Sequence, residues 1–452
     1  MRFKKSNKVL TILLTLVLAF SLSACEKMIP NEEEFKSSEE LRTESKEDKQ
    51  DTSAKESTTQ STTEETTTTT TEEDLSSSFT IGMVGDVLFH SPLFKGGAQE
   101  DGSYNFEYMY KDLAADVKAL DYSIANMEGT LAGPPYSGFP TFSGPDAIAT
   151  MLSNAGFDLA STANNHSFDK GEDGVVRTLD VLRNAGLDTV GTRKNADEDQ
   201  YLSLDLNGIK VGISSFTYET MRQNDQKSLN GIPLPQDMDA EIDSFNLENP
   251  YRDEDIQKLQ DRAKKMRADG NEVVIFIMHW GTEYRLTEDW FQEQYSQALA
   301  DAGVDLVFAC HPHVVEPIKA IKATDSDHEM LCFYSLGNSV SNMGFYQASL
   351  NGQTQDGLFA KVKFERDKDG NISIADASYI TTMILKNYLD GSQTATKTRV
   401  IPARQAIENP EKFDLSADQV ELFKGSVQRV NNIFENNDTG NIKVEEASTY
   451  VE

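Results

Sequence analysis

Basic residues are scarce. Lys and Arg number 42 against 74 Asp and Glu, for a formal charge of −32 over 452 residues. That balance argues against nucleic acid as a main partner, because neutralising phosphates needs Lys and Arg. It also argues against holding an acidic polymer by bulk electrostatics. An anionic ligand would need a local positive centre, which a bound metal can supply. Cysteine is almost missing, with only Cys25, Cys310 and Cys332. The last two lie in apolar, strand-like runs, where either a disulfide or two buried free thiols fits. Beyond residues 9–20 no stretch is long and apolar enough to span a membrane. No repeat of about 20–50 residues is present either.

The first 24 residues read as a signal peptide. Arg2, Lys4, Lys5 and Lys8 make a basic start, and the apolar run that follows is short for a span. Leu22-Ser23-Ala24-Cys25 comes next. Small residues ahead of a Cys form the bacterial lipoprotein pattern, so Cys25 is expected to become a lipidated N-terminus. Acyl chains add ~0.8 kcal/mol per buried CH₂, enough in combination to hold a protein stably at a membrane surface. The expected location is extracytoplasmic, lipid-anchored to the cell membrane. Residues 25–78 read as this Cys followed by a tether rich in Ser, Thr, Glu and Lys. Such a segment buries too little apolar surface to offset its ordering entropy. Its coil reach is on the order of 40 Å.

Strands alternating with helices begin at Phe79. The pattern predicts a layered α/β domain with a mixed sheet or two packed sheets. Helices are expected over 106–120, 146–154, 172–184, 253–269 and 288–302. Hairpins are expected around Asn207-Gly208 and across residues 367–370. Residues 132–145 form a long Gly/Pro-rich loop able to line a site. Residues 218–250 show no clear period and read as an exposed loop or lid. The stretch 386–452 reads as an acidic extension with one helix near 416–435.

The predicted strands end in chemistry. One ends at Asp86 with His90 beyond it, and the next at Asn126 and Glu128. Others end at Asn165-His166, at His279, and at His311-Pro312-His313. Five of the six histidines fall at these ends, and only His328 does not. Open α/β sheets place their chemistry at strand ends. Converging carboxylates, imidazoles and an amide suit Zn, Mn or Fe, and fit poorly to Ca. Two ions ~3.5–4 Å apart need a bridging carboxylate and about three further ligands each. This inventory is just sufficient. Such a centre activates water and clamps a phosphoryl or carbonyl oxygen.

These residues carry a resemblance. Gly85-Asp86, Ala125-Asn126-Met127-Glu128, Ala163-Asn164-Asn165-His166 with Asp169 and Gly171, His279-Trp280-Gly281-Thr282-Glu283-Tyr284, His311-Pro312-His313-Val314 and Ser335-Leu336-Gly337-Asn338 occur in order. Together they resemble the CapA family of poly-γ-glutamate capsule synthesis proteins, whose domain is similar to calcineurin-like metallophosphatases. The resemblance covers residues 79–385 and implies an α-β-β-α sandwich with mixed sheets. It implies one or two divalent transition metals. Asp86 and His313 would bind the first ion, Glu128 would bridge, and Asn165, His279 and His311 would bind the second. His166 would serve the leaving oxygen as a proton donor or stabiliser. Asp169 either orients His166 or caps the following helix. Trp280 and Tyr284 either line the cleft or pack beneath it, and Glu283 either faces substrate or pairs with a cation. Two departures stand out. The superfamily's opening Asp-x-His is stretched here, with His90 four residues after Asp86, and Glu128 replaces a bridging Asp.

The function implied is synthesis, export or anchoring of poly-γ-glutamate or a related envelope polymer. The partners would be the membrane, an anionic polymer or phosphoester substrate, and other membrane components of a polymer synthesis complex. A general surface phosphoesterase and a non-catalytic polymer-binding scaffold stay open on the same residues. The lipoprotein pattern makes a direct prediction. Wild-type chain should partition into detergent and the membrane fraction, and Cys25→Ser should release it to the aqueous fraction. Unchanged partitioning of the variant would remove the anchor.

Overall fold

The computed structural model describes residues 77–451, apart from 224, 249, 390, 392 and 393. The signal peptide, Cys25 and nearly all of the tether lie outside the described residues. Among the described residues no helix is long and apolar enough to cross a membrane.

The chain enters on β1 (Ser77–Leu88) and passes two short helices, α1 (Ser91–Gly97) and α2 (Ala114–Val117). It then alternates through β2 (Tyr122–Glu128), α3 (Ala147–Ala155), β3 (Leu159–Ser161), α4 (Gly171–Asn184) and β4 (Asp188–Val190). The hairpin β5 (Leu202–Leu206) and β6 (Ile209–Tyr218) turns at Asn207-Gly208, both with positive φ, as a tight right-twisted turn requires. Four short strands follow, β7 (Thr220–Gln223), β8 (Gln226–Leu229), β9 (Ile232–Pro233) and β10 (Ser244–Phe245). Next come α5 (Tyr251–Ala268), β11 (Val273–His279), α6 (Trp290–Asp301) and β12 (Leu306–Cys310). The remaining strands are β13 (Ile318–Lys322), β14 (Glu329–Phe333), β15 (Asn338–Val340), β16 (Asp356–Arg366), β17 (Ile372–Tyr388) and β18 (Thr396–Pro402). Helices α7 (Ala403–Glu408) and α8 (Ala417–Phe434) and strand β19 (Val444–Glu446) complete the fold.

Two sheets carry it. The first has nine strands in the order β18-β17-β16-β1-β2-β3-β4, with β15 against β1 and β19 against β17. The second has seven, β10-β6-β11-β12-β14-β13, with β5 beside β6. Strand β11 shows how the sequence builds the layers. Its unbroken apolar run alternates, with Ile275 and Ile277 facing the first sheet's Ile81, Met83 and Ile124. Val274, Phe276 and Met278 face the other way, onto Leu259 and Met266 of α5 and Tyr295 and Leu299 of α6. On the outer face of the first sheet, Val84, Ala125 and Met127 pack against Ile148 and Leu152 of α3 and Leu182 of α4. The architecture is an α-β-β-α sandwich with mixed sheets. Burial on both faces explains why the central strands read as continuous apolar runs.

Two expectations are corrected, and the alternatives open for the two cysteines are resolved. Residues 106–120 hold only a 3₁₀ turn at Glu107–Met109 and the single turn α2. Met109 N donates to Phe106 O and Leu113 N to Tyr110 O, three residues back. Apolar residues spaced three and four apart satisfy such tight turns as well as an α-helix. Residues 218–250 contain a separate small sheet, β7-β8-β9. Leu229, Leu234, Met238 and Ile242 anchor this region on Val175 and Leu179 of α4. The two cysteines are free and buried. Cys310 joins the core between the sheets and Cys332 the core beneath α5 and α6, so they lie on opposite faces and no disulfide forms.

Past residue 386 the expected helix is present as α8, and the chain adds β18 and β19 to the first sheet. Phe423 and Val427 of α8 pack on Met383, Leu385 and Ile401. Arg429 grips Asp356 bidentately, at 2.6 and 2.7 Å. The carboxylate is buried, and burial opposes its charge. Removing one partner of a buried pair leaves the other charge uncompensated, so Arg429→Met should lower unfolding free energy by about 3 kcal/mol. Urea denaturation checks this, and a loss within error of zero would demote the clamp to a surface contact.

Candidate metal centre

Parallel strands end side by side, and here the carboxyl ends of both sheets meet. In the first sheet Asp86 stands opposite Asn126 of β2 and opposite Asn338 of β15. In the second, His279 of β11 stands opposite Cys310 of β12 and Thr217 of β6. Two close approaches shape the meeting point. A Cβ at Gly85 would sit 1.9 Å from Gly337 O, the carbonyl that receives Asp86 N at 2.9 Å. Gly281, at φ 102°, lets the chain turn after His279 where a Cβ would strike Pro312. His311 (φ 106°) and His313 (φ 58°) are held in left-handed backbone conformations. Each costs on the order of 1–3 kcal/mol in a non-glycine residue, strain that persists only when the surroundings impose it.

Five buried side chains close into two groups with one shared member. Ligand atoms of Glu128, His279 and His311 lie within 4.8 Å of one another, and so do those of Asp86, Glu128 and His313. Glu128 Oε1 is 3.8 Å from Nε2 of both His279 and His313. His313 Nδ1 lies 3.1 Å from Asp86 Oδ2, and Asn165 Oδ1 adds an amide oxygen 2.8 Å from His279 Nε2. Asn126 Nδ2 donates to Asp86 Oδ1 at 2.7 Å, which makes Asn126 an orienting neighbour.

Neither Glu128 oxygen has a hydrogen-bond partner, and neither does His311 Nδ1. Buried polar atoms without partners are rare and costly. Burial, then the charge on Asp86, pushes Glu128 well above the ordinary carboxylate range. Burial, then the neighbouring imidazoles, holds His279 and His311 well below 6.5. Burial also opposes charge on His313, but Glu128 and Asp86 outweigh it and lift the ring to about 10. A cation placed among these donors would use every orphaned lone pair and favour the ionised carboxylates. The residues therefore fit one or two divalent metals, with Glu128 placed to be shared.

Beside this centre His166 Nδ1 lies 2.8 Å from Asp169 Oδ2. Phe142 N donates to the same oxygen at 2.6 Å, and Asn230 Nδ2 donates to Asp169 Oδ1 at 2.8 Å. The Phe142 ring stands edge-on to His166 at 4.6 Å. With Nδ1 engaged, Nε2 is the ring nitrogen left to act on a ligand. Of the two roles open to Asp169, this geometry gives it the orienting one, and α4 has no side-chain cap.

Residues 80–343 match the family described as "Bacterial capsule synthesis protein PGA_cap". The chain belongs to this family. It is 26% identical over 277 residues to "Capsule biosynthesis protein CapA" of Bacillus anthracis, a match covering 60% of this chain and 61% of that protein. It is also 26% identical over 311 residues to "PGA biosynthesis protein CapA" of Bacillus subtilis (strain 168), covering 66% of this chain and 70% of that one. Among solved structures, NAD nucleotidase (NadN) of Haemophilus influenzae is similar with a TM-score of 0.42 and 12% identity, over 82% of this chain and 65% of that one.

Other expected residues of this PGA_cap protein fall outside the two groups. His90 belongs to neither; its Nδ1 receives Asn342 N at 3.4 Å, and its ring stands edge-on to Phe142 at 5.6 Å. Trp280 is fully buried under the second sheet, donating to Tyr334 O at 3.1 Å, so it packs beneath the cleft and does not line it. Tyr284 is half-buried, its ring 6.4 Å from His313 and its hydroxyl accepting from Gln347. Glu283 is exposed, close enough to raise Glu128 and His313.

Sequence reasoning gave four neighbours no role at the site. Asn338 Oδ1 meets His313 Nδ1 at 3.1 Å, and Tyr218 packs its ring 4.6 Å from His311. Asn230 and Phe142 hold the His166–Asp169 pair. The Asn230-Gly231 dipeptide signalled a turn, but nothing local said where its tip would land.

The unpartnered Glu128 yields a prediction with a change of sign. Its carboxyl is raised, so the stability it contributes is present below the ordinary carboxylate range and lost as pH climbs through the raised value. In chelated protein at pH 8, Glu128→Gln should therefore raise the melting temperature, by about 2–4 °C. With Mn or Zn added it should instead forfeit the stabilisation that the ion gives wild type. The same sign in both conditions would refute the shared-ligand reading.

Proposed function

We propose that this chain is a lipid-anchored, extracytoplasmic PGA_cap protein with a metal-dependent hydrolase-like cleft. On this reading it acts in the synthesis, export or anchoring of poly-γ-glutamate or a related envelope polymer. The observation that carries the cleft is Glu128, a buried carboxylate with two unsatisfied oxygens, shared by two ligand groups. Family membership and the two CapA relatives support the capsule role. The signal and Cys25 pattern support the anchor.

Asp86, Glu128 and His313 would hold one ion, and Glu128, Asn165, His279 and His311 a second. Bound there, a divalent metal supplies an acidified water and a Lewis acid for a phosphoryl or carbonyl oxygen. The chain's own residues do the rest. His166, fixed through Nδ1 by Asp169, presents Nε2 for a proton at the leaving oxygen or nitrogen. Phe142 covers the His166 ring and shields it from water. Tyr284, its ring 6.4 Å from His313, and the exposed Glu283 would then be the next residues an incoming chain meets.

The test is made in the native cell. His166→Ala and His311→Ala should each abolish or sharply reduce the envelope polymer, and polymer unchanged in both would sink the reading. Elemental analysis of the untagged full chain should find one or two Mn, Fe or Zn per molecule, lost in His311→Ala. Absence of metal after reconstitution with each ion would favour a binding scaffold. Turnover of simple phosphoesters with unchanged polymer would favour a general phosphoesterase. In either enzymatic case His166→Ala should slow turnover about 10²–10⁴-fold.

A further inference from the structure

Lys386 stands near the end of β17, largely withdrawn from water, in a protein short of cations. Its ammonium donates to Met343 O. Among the described residues no carboxylate pairs with it. An isolated buried ammonium is costly, and burial alone pulls this amine down to about 7. Most other buried cations here are paired, as Arg193 and Arg262 are with Asp243.

Its surroundings belong to the cleft. Met343, its acceptor, follows Asn342, whose N–H points at His90 Nδ1. The Asn342 side-chain oxygen is buried without a partner. Met343 also touches Asn338 through its sulfur, at 3.7 Å, and Asn338 in turn contacts His313. The segment 338–343 thus runs from the metal group to Lys386, and His90 faces Phe142 and through it His166. Burial, then His313 and Lys386, holds the His90 ring neutral, down to about 4. His90 is the one strand-end histidine left without a role, and Lys386 is, among the described residues, a cation left without an anion.

We propose that Lys386, with His90 and Asn342, forms an anion-recognition subsite beside the metal centre that takes a carboxylate or phosphate group of the ligand. It rests on the cleft being the reaction site, and it gives that cleft a second positive point some way from the ions. A ligand bound at both points is oriented as well as held, which a metal pair alone does not achieve. The buried, unpaired Asn342 oxygen would accept an N–H or O–H next to the bound anion.

The experiment separates this subsite from the metals. The full chain in detergent is stripped with chelator, dialysed and titrated with inorganic phosphate and, separately, succinate, at constant ionic strength near pH 6.5. Wild type should bind at least one of them without metal. Lys386→Met should weaken that binding about tenfold or more, as loss of a charge-assisted hydrogen bond does, and Lys386→Arg should keep most of it. Tighter phosphate identifies a phosphoryl group, and tighter succinate a carboxylate. No binding to stripped wild type, or equal affinity in wild type and a folded Lys386→Met, would overturn the proposal. Should the Met variant not fold, Lys386→Gln and the retained binding of the Arg variant decide the same question. Metal uptake is then read on the same samples after reconstitution with Mn, Fe or Zn. Lys386-dependent anion binding in a chain that takes up no metal would sink the metal reading alone, and metal without such binding would sink this one alone.

Discussion

The structure turns on one carboxylate. Glu128 is the last residue of a central strand, wholly enclosed, and neither of its oxygens is met by a donor. Folding has taken a charge-bearing group out of water and left it no hydrogen bond, only the His279 and His313 ring nitrogens at 3.8 Å. A protein of marginal stability tolerates that only where the defect is completed from outside or used. The imidazoles around it come from the second sheet and the carboxylates from the first. The centre is therefore a polar seam between layers held together elsewhere mainly by apolar packing. An ion there would tie the two sheets through their strand-end side chains, adding to polar contacts such as Ser161 with Ser215 at 2.8 Å.

The surroundings of that seam are built to resist relaxation. Asp86 is held by Asn126 and by the backbone N–H of His311. His311 and His313 keep left-handed backbones just beyond the end of β12, which pairs with β11 and β14, and Pro312 between them lies close against Gly281. His166 depends on three separate segments, the α4 approach, the 132–145 loop and the tip of the small sheet. An imidazole aimed from three directions has little rotamer freedom left to lose when a ligand arrives, which is how a preorganised site lowers its reorganisation cost.

Much of this was legible in the sequence, and the failures have physical causes. Helix and strand periods located the main elements, since β11, α5 and α6 have faces that must be buried. Crowding of His, Asp, Glu and Asn at strand ends located the centre, because parallel strands in one sheet end at one edge. What could not be read was distance in space. Asn230 lies 64 residues from His166 and reaches it only because Leu229 and Leu234 dock their sheet on α4. The stretch 106–120 was misread because a spacing of three and four is shared by α and 3₁₀ turns. The extension past 386 read as one helix because its strands are short and polar on one face, and they are defined by pairing with β17. The placement of His90 and Trp280 outside the ligand groups followed from side-chain direction, which strand position alone does not give.

The placement of the two buried cysteines has a consequence for where this domain can be made. They face opposite sides of one sheet, and each is raised by burial out of the reactive thiolate range. Among the described residues no covalent cross-link contributes to the fold. Folding of the described domain thus waits on no thiol oxidation, in a reducing cytoplasm as in an oxidising envelope.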